Sequence, residues 1–496
     1  MINLVWLKRD LRLVDHAPLY QATQGTRPVI LLYVHEPQYW QLKDTSARHW
    51  QFIRESLCDL NQDLAQQKTG LWIAEGEVQA CLQQLHQQFG IHTLFSHEET
   101  GNQWTYIRDQ QVQRWCATNH VRWQQSRQFA VKRGPVNRDH WDHIWQQQMR
   151  AAVVADANLS KLIPPPAAYQ DLPSSYPGND RLFCLSGQIG GCKAGKKLLT
   201  SFLCHRQQRY LHSVSSPVSG PQFSSRLSPY LAYGCLSMKE VVQNTVATLE
   251  KSQHSRALRA FKSRLHWHCH FIQKLETEPE YELHAVHRDL RPLRSESFDP
   301  SLFEAWCEAR TGIPFVDACM MMLRHTGWLP FRMRAMLMAF SSYHLWLPWQ
   351  KPAAFLAQLF TDYEPGIHYP QVQMQSGTTG INPFRIYNPI KQGMRFDPDG
   401  QFIRRWLTPL RPLHSAYIHQ PWRSPDFASL DYPEPVIDPE LSARQARETL
   451  FAFYREHVNQ SETRRVVSQH ASRRYHKKPS RRSQKSTPAT QQLSLF

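Results

Sequence analysis

The chain lacks what would direct it into a membrane or through a secretory route. Nowhere do about 18 apolar residues follow one another, so no segment offers a membrane span. Met1 to Arg9 is a strand-like apolar run entering a charged turn, without the basic, apolar, small-residue order of a signal peptide. The ten cysteines are scattered and include no C-x-x-C pair, which argues against a zinc knuckle and against a disulfide framework. A G-x-G-x-x-G turn is also missing after the first strand, where Lys8-Arg9-Asp10-Leu11-Arg12 stands instead, so nothing marks an NAD-binding turn. These absences lead us to expect a cytoplasmic protein with reduced cysteines and no membrane partner.

Acidic residues are scarce: 41 Asp and Glu face 58 Lys and Arg, for a formal net charge of +17 and a pI near 9.5. Such a field concentrates polyanions, and nucleic acid is the expected partner. Much of the excess is local, because Ser461 to Phe496 carries nine Lys/Arg and one acid, Glu462. The folded surface is therefore less basic than the total suggests.

At 496 residues the chain should divide into two or three folded units. Asn3–Leu7, Pro28–Val34, Leu71–Ala74 and His92–Phe95 read as strands, and the helix-like stretches Ser46–Gln67 and Val78–Phe89 lie between them. That alternation predicts a parallel sheet covered on both faces. Ile163 to Gly195 is rich in Pro, Gly and Ser, as a connector would be. After about Leu198 helical periodicity prevails to roughly residue 455. The predicted fold class is an α/β N-terminal domain with a Rossmann-like parallel sheet, followed by an all-α C-terminal domain. The expected boundaries are 1–132 for the α/β unit, 133–197 for the connector, 198–458 for the helical unit and 459–496 for a basic tail too poor in apolar residues to order itself.

The helical half contains Ser224-Ser225-Arg226-Leu227-Ser228-Pro229-Tyr230-Leu231, Thr311-Gly312-Ile313-Pro314-Phe315-Val316-Asp317-Ala318, Thr326-Gly327-Trp328 and Phe384-Arg385-Ile386-Tyr387-Asn388-Pro389, which leads on to Phe396-Asp397 and Arg405-Trp406. With the opening Leu4-Val5-Trp6-Leu7-Lys8-Arg9-Asp10-Leu11-Arg12, these segments resemble the photolyase/cryptochrome family in order along nearly the whole chain. The resemblance implies FAD in the helical domain, and a folate or deazaflavin antenna in the N-terminal domain, for which no identifying residue set is found; His97-Glu98-Glu99-Thr100 is a candidate contributor or simply the end of a strand.

A serine-rich loop before a helix offers hydroxyls and N–H groups to a diphosphate, and Arg226 adds a balancing charge. Ser224, Ser225, Arg226, Leu227 and Ser228 are expected there with Tyr210 and Phe261, although Ser-Ser before a helix also makes an ordinary N-cap. Arg334 and Asp362 match the family's buried ion pair beside the isoalloxazine; the plain alternative is a structural salt bridge. Tyr363 and Glu364 continue the acidic stretch at the flavin edge. His368 falls where photolyases place an Asn facing flavin N5, and a histidine of ordinary pKa there could donate a proton.

The family's chemistry implies that reduced, light-excited FAD passes an electron to a dimerised pyrimidine in DNA, the ring splits, and the electron returns. Trp267 aligns with a pocket tryptophan, which puts Arg264 where dimer-splitting photolyases have a carboxylate; a guanidinium donates hydrogen bonds but cannot share a proton. Met374 replaces a second lesion-stacking tryptophan, and Phe331 replaces an Asn or His. Arg264, Trp267 and His368 are the expected catalytic set, and DNA is expected at Arg264, Trp267, His268, Phe331, Arg332, Met374, Arg385 and Gln392. Of three relay tryptophans only Trp349 matches, with Val372 and Glu296 at the other two positions. His266 and His270 share a helical face, yet no third ligand at a motif spacing accompanies them, so no metal is expected.

The sequence ends in Gln492-Leu493-Ser494-Leu495-Phe496, similar to the pentapeptide by which bacterial replication and repair proteins dock on the sliding clamp. The expected protein is a monomeric, blue-light-dependent photolyase-like lyase acting on pyrimidine dimers, cyclobutane rather than (6-4) because the double-His feature of (6-4) enzymes is missing from Leu329-Pro330-Phe331-Arg332. Its rival is a cryptochrome-like photoreceptor without repair, favoured by the lost carboxylate and relay tryptophans.

Overall fold

A computed structural model describes residues 1–173, 176, 178, 184, 186–382 and 384–471. The clamp-like peptide Gln492–Phe496 and the rest of 472–496 lie outside the described residues, as does part of the 163–195 stretch.

The N-terminal third folds around a five-stranded, all-parallel sheet of order β3-β2-β1-β4-β5, with β1 Ile2–Leu7, β2 Val29–His35, β3 Trp72–Glu75, β4 Ile91–His97 and β5 Arg122–Ser126. β1 and β2 are buried along their whole length, as mainly apolar strands inside a parallel sheet should be, and the one polar side chain within β1, Asn3, donates to the Ala22 carbonyl at 2.9 Å. Leu4 of β1 pairs with Ile30 on one side and Leu94 on the other. Side chains then alternate between two cores. Leu4, Trp6, Ile30, Leu32 and Leu94 pack beneath helices Val78–Phe89 and Gln103–Thr118. Val5, Leu7, Leu31 and Phe95 face the other way, into a core that runs on through Phe202, Leu258, Phe261, Leu265 and Ile272 of the helical half. The sheet and the helices therefore share one interior. β5 was not among the expected strands: Arg-Trp-Gln-Gln-Ser carries one apolar residue, as an exposed edge permits.

Polar groups lock the halves together. Arg48, on helix Ala47–Gln66, is 2% exposed and donates to the carbonyls of Leu323 (3.2 Å), Arg324 (3.1 Å) and Leu359 (2.8 Å). Those carbonyls end helices Pro314–Thr326 and Gln350–Leu359, where a cation is favourable. The turn after β1 is spent the same way, since Arg9 donates to the Tyr363 carbonyl (2.6 Å) and faces the Glu364 carboxylate at 3.4 Å.

Within the 133–197 connector, Trp141–Arg150 is a helix whose Trp141, Trp145 and Met149, four residues apart, are buried in the shared core. The 459–496 stretch is not wholly without structure, because Gln460–His470 is a helix. Asn459 caps it, Val466 packs with Leu275, Tyr281 and Val286, and Glu278 accepts from both Arg465 and His470. One cap, one buried valine and an ion pair offset the ordering entropy of eleven residues, which a composition averaged over the longer segment conceals. No helix among the described residues is long and apolar enough to cross a membrane.

Candidate functional site

The helical half encloses a cavity of about 570 Å³, within the ~300–1,000 Å³ range of cofactor sites. Its walls come from helices Ser255–Thr277, Phe331–Ala339 and Pro365–Ser376 and from the loop before the short helix Ser228–Ala232.

That loop is held from behind. Arg206 donates to the carbonyls of Ser224, Ser225 (3.3 Å) and Leu198 (2.6 Å), drawing the loop's acceptors away from the cavity. Among the described residues, the amides of Ser225, Arg226 and Leu227 donate to no acceptor. Arg226 takes a left-handed backbone, φ 58°, which costs a side-chain-bearing residue about 1 kcal/mol or more. Gln188 holds it there, accepting from Arg226 Nε at 2.9 Å and donating to its carbonyl at 2.7 Å, while the guanidinium lies 4.1 Å over the Trp328 ring. Burial pushes the Arg226 guanidinium down to about 10, still charged at neutral pH. Successive free N–H groups beside an arginine form a concave anion seat. Ser224, Ser225, Leu227, Ser228, Tyr210 and Phe261 line the same region.

Across the cavity Arg334 and Asp362 form a two-stranded pair, Nη1 to Oδ1 at 2.8 Å and Nη2 to Oδ2 at 2.9 Å. Burial alone would raise the Asp362 carboxyl; Arg334, with help from the Ser228 hydroxyl, outweighs it and holds the group below its ordinary value. Glu364 is raised, burial outweighing its partner Arg9, and Tyr363 completes the stretch along this wall. His368 also lines the cavity, but the expected proton donor is corrected. Burial pushes its imidazole down to about 4, and Nε2 is committed to the Ala353 carbonyl at 2.9 Å. At neutral pH it is uncharged, with Nδ1 left as an acceptor.

Phe261, Arg264, Trp267, His268, Phe271 and Lys274 form a stripe on helix Ser255–Thr277, with Phe331, Arg332, Met374 and Arg385 around the same space. Trp267 and Phe271 stack with ring centres 5.7 Å apart. Six lining side chains are basic (Arg226, Arg264, Lys274, Arg332, Arg334, Arg385) and two are acidic (Asp362, Glu364), and both acids already face an arginine. The cavity therefore favours anions. Trp349 and Gln392 do not line it: Trp349 is buried at the start of helix Gln350–Leu359, and Gln392 is half-buried on helix Pro389–Phe396. His266 pairs with Asp142 at 2.8 Å and His270 lies against Arg138, so each has a protein partner.

Lys274, Gln371 and Gln375 line the cavity without having been expected there. The available signal was polar side chains on otherwise buried helix faces. A second unexpected group is Asp10, His16 and His97, all buried, with ligand-type atoms within 4.8 Å of one another. It is a carboxylate clamp rather than a metal seat. His16 Nδ1 accepts from the Leu19 amide, so Nε2 carries the proton it gives Asp10 at 3.0 Å; His97 Nδ1 meets the same oxygen at 2.7 Å. The lone pairs a cation needs are committed. The clefts at this edge of the sheet measure about 10 and 40 Å³, and neither admits a folate or deazaflavin ring without side-chain movement.

The cavity fits FAD: free amides and cations stand where a diphosphate needs them, and a polar pair stands in an apolar wall. A family profile described as the FAD binding domain of DNA photolyase matches residues 261–452, and one described as DNA photolyase matches residues 3–140. A deoxyribodipyrimidine photo-lyase of Vibrio cholerae is 28% identical over 477 residues, covering 92% of this chain and 99% of the relative. A cryptochrome DASH of Gloeobacter violaceus is 25% identical, covering 92% of this chain and 96% of its own length. In fold, the chain is similar to a class III photolyase of Agrobacterium tumefaciens, with a TM-score of 0.78 at 24% identity over 92% of this chain and 98% of the other.

Proposed function

The chain belongs to the photolyase/cryptochrome family, and on that footing we propose that it holds FAD in the 570 Å³ cavity and, under blue light, splits cyclobutane pyrimidine dimers in DNA. The observation that carries this reading is the cavity's construction: an anion seat at Ser224–Ser228, a neutralised pair at Arg334–Asp362, and a surplus of cations over acids. Reduced FAD excited by light supplies the electron that opens a cyclobutane ring. The chain's own work is to position and to exclude water. The Ser225 to Leu227 amides and Arg226 take the diphosphate, Arg334 and Asp362 fix the ring's polar edge, and His368 offers a neutral acceptor. Trp267 and Met374 flank an extruded lesion, and Arg264 donates to a thymine carbonyl or phosphate. Arg332 and Arg385 steer the backbone of the strand.

Arg264 also supports a second reading, a cryptochrome-like photoreceptor that repairs nothing, because a guanidinium cannot share a proton as a carboxylate does. One assay separates the two. Reduced protein illuminated with an oligonucleotide carrying a single cyclobutane dimer should consume the dimer above a dark control. No consumption, with a light-driven change in a flavin spectrum, assigns the photoreceptor.

The remaining parts of the proposal concern the cell. Docking of Gln492–Phe496 on the sliding clamp would bring the enzyme to replicated DNA, with the basic residues before it near phosphate. The proposed working unit is a monomer. Unpaired cysteines suit a cytoplasmic setting.

A further inference from the structure

Helix Pro365–Ser376 carries three glutamines at alternate positions, 371, 373 and 375, and they are used in opposite ways. Gln373, fully buried, is saturated: its Nε2 donates to the carbonyls of His284 (2.7 Å) and Tyr281 (3.2 Å), and its Oε1 accepts from Thr378 Oγ1 (2.5 Å) and the Val286 amide (3.4 Å). Gln375 is 1% exposed, and among the described residues neither its Nε2 nor its Oε1 has a partner. Gln371, one turn earlier on the same face, has a buried Oε1 that is likewise unpartnered. Gln371 and Gln375 line the cavity; Gln373 does not.

Leaving a buried polar group unpaired costs free energy that an apolar side chain would avoid, so the Gln375 amide and the Gln371 Oε1 on one cavity wall point to a ligand that completes them. The ligand's chemistry follows from which atoms are open. Phosphate only accepts, so it can satisfy Nε2 but never Oε1. Two open carbonyl oxygens and a neighbouring N–H call for a ligand edge that carries an N–H beside a C=O. That is an imide edge, as on a pyrimidine ring and also on the isoalloxazine. The pair stands on either side of Met374, which occupies the lesion-stacking position, whereas Asp362 and His368 of the flavin wall lie further back along the chain. Resting on the function proposed above, we infer that Gln371 and Gln375 read the imide edge of the extruded pyrimidine and so set specificity for the lesion.

The full-length, flavin-loaded protein tests this in the dark, by binding to three oligonucleotides: one with a thymine cyclobutane dimer, one with that dimer methylated at N3, and one undamaged. Wild type should prefer the dimer and lose roughly tenfold on N3 methylation. Gln375→Leu, alone or with Gln371→Leu, should bind the two dimers equally while keeping its FAD content. If the variants retain the full methylation response, the amides are satisfied by water alone and the inference falls. If they lose FAD while keeping the response, the imide they read is the cofactor's, and the inference falls again. A wild type that binds dimer and undamaged strand alike contradicts the underlying function instead, and the specificity role goes with it.

Discussion

Arg334 grips Asp362 through two parallel hydrogen bonds, 2.8 and 2.9 Å, in a wall where the carboxylate is almost fully buried. Removing either partner strands a charge in low dielectric, so Asp362→Ala or Arg334→Ala should cost about 3–5 kcal/mol of stability and release the flavin. Because the folded carboxyl is held below its unfolded value, its stabilising contribution is complete above the unfolded pKa and is lost as pH falls toward the folded one. Wild type should therefore lose stability on acidification more steeply than Asp362→Asn. Thermal melts across pH 2 to 6 check this, and parallel curves would contradict it.

Lys274 also makes stability rise with pH, but here the charged form opposes folding where that of Asp362 supports it. Burial, aided by Arg138, pushes its ammonium down to about 7 from 10.5, and its Nζ lies 5.3 Å from the centre of the Phe271 ring. Between those two values the unfolded chain binds more protons, so stability rises with pH through that window. Lys274→Met should raise the Tm most below pH 7, with the gain fading toward pH 10. A gain independent of pH would mean the ammonium is not desolvated.

Gln373 and Gln375 should part company under the same substitution. Gln373→Leu strands two carbonyls and an amide, the Thr378 hydroxyl keeping its bond to the carbonyl of residue 373 (3.1 Å), and should destabilise by about 1–3 kcal/mol. Gln375→Leu removes an unpaired buried amide and should leave stability unchanged or higher. Denaturant midpoints measure both, and equal losses would refute the contrast.

Much of this was legible in the sequence, for identifiable reasons. The short, mainly apolar runs of β1 and β2, alternating with longer amphipathic stretches, read as central strands of a covered parallel sheet. The Ser224–Ser228, Arg334 and Asp362 positions stand in recognisable segments, and all of them line one cavity. What failed to show was local context. β5 is too polar to announce a strand, and the Gln460–His470 helix is stabilised by Glu278, nearly two hundred residues away in sequence. His368 looked like a titrating group because its type suggests one; only the fold reveals the burial that takes it to about 4. Gln371 and Gln375 resemble ordinary polar helix residues until their neighbours are known.

Clamp docking separates cleanly from flavin chemistry. Deleting Gln492 to Phe496 should abolish capture on immobilised sliding clamp and leave FAD content and dimer splitting untouched. Equal capture by the truncated chain would reject the motif.

The most direct measurement for the whole account is the flavin content of purified protein, taken together with the effect of Asp362→Ala on it. Purified wild type should be yellow and release close to one FAD per chain on denaturation, and the variant should release little. A colourless wild type that takes up no added FAD would contradict that account.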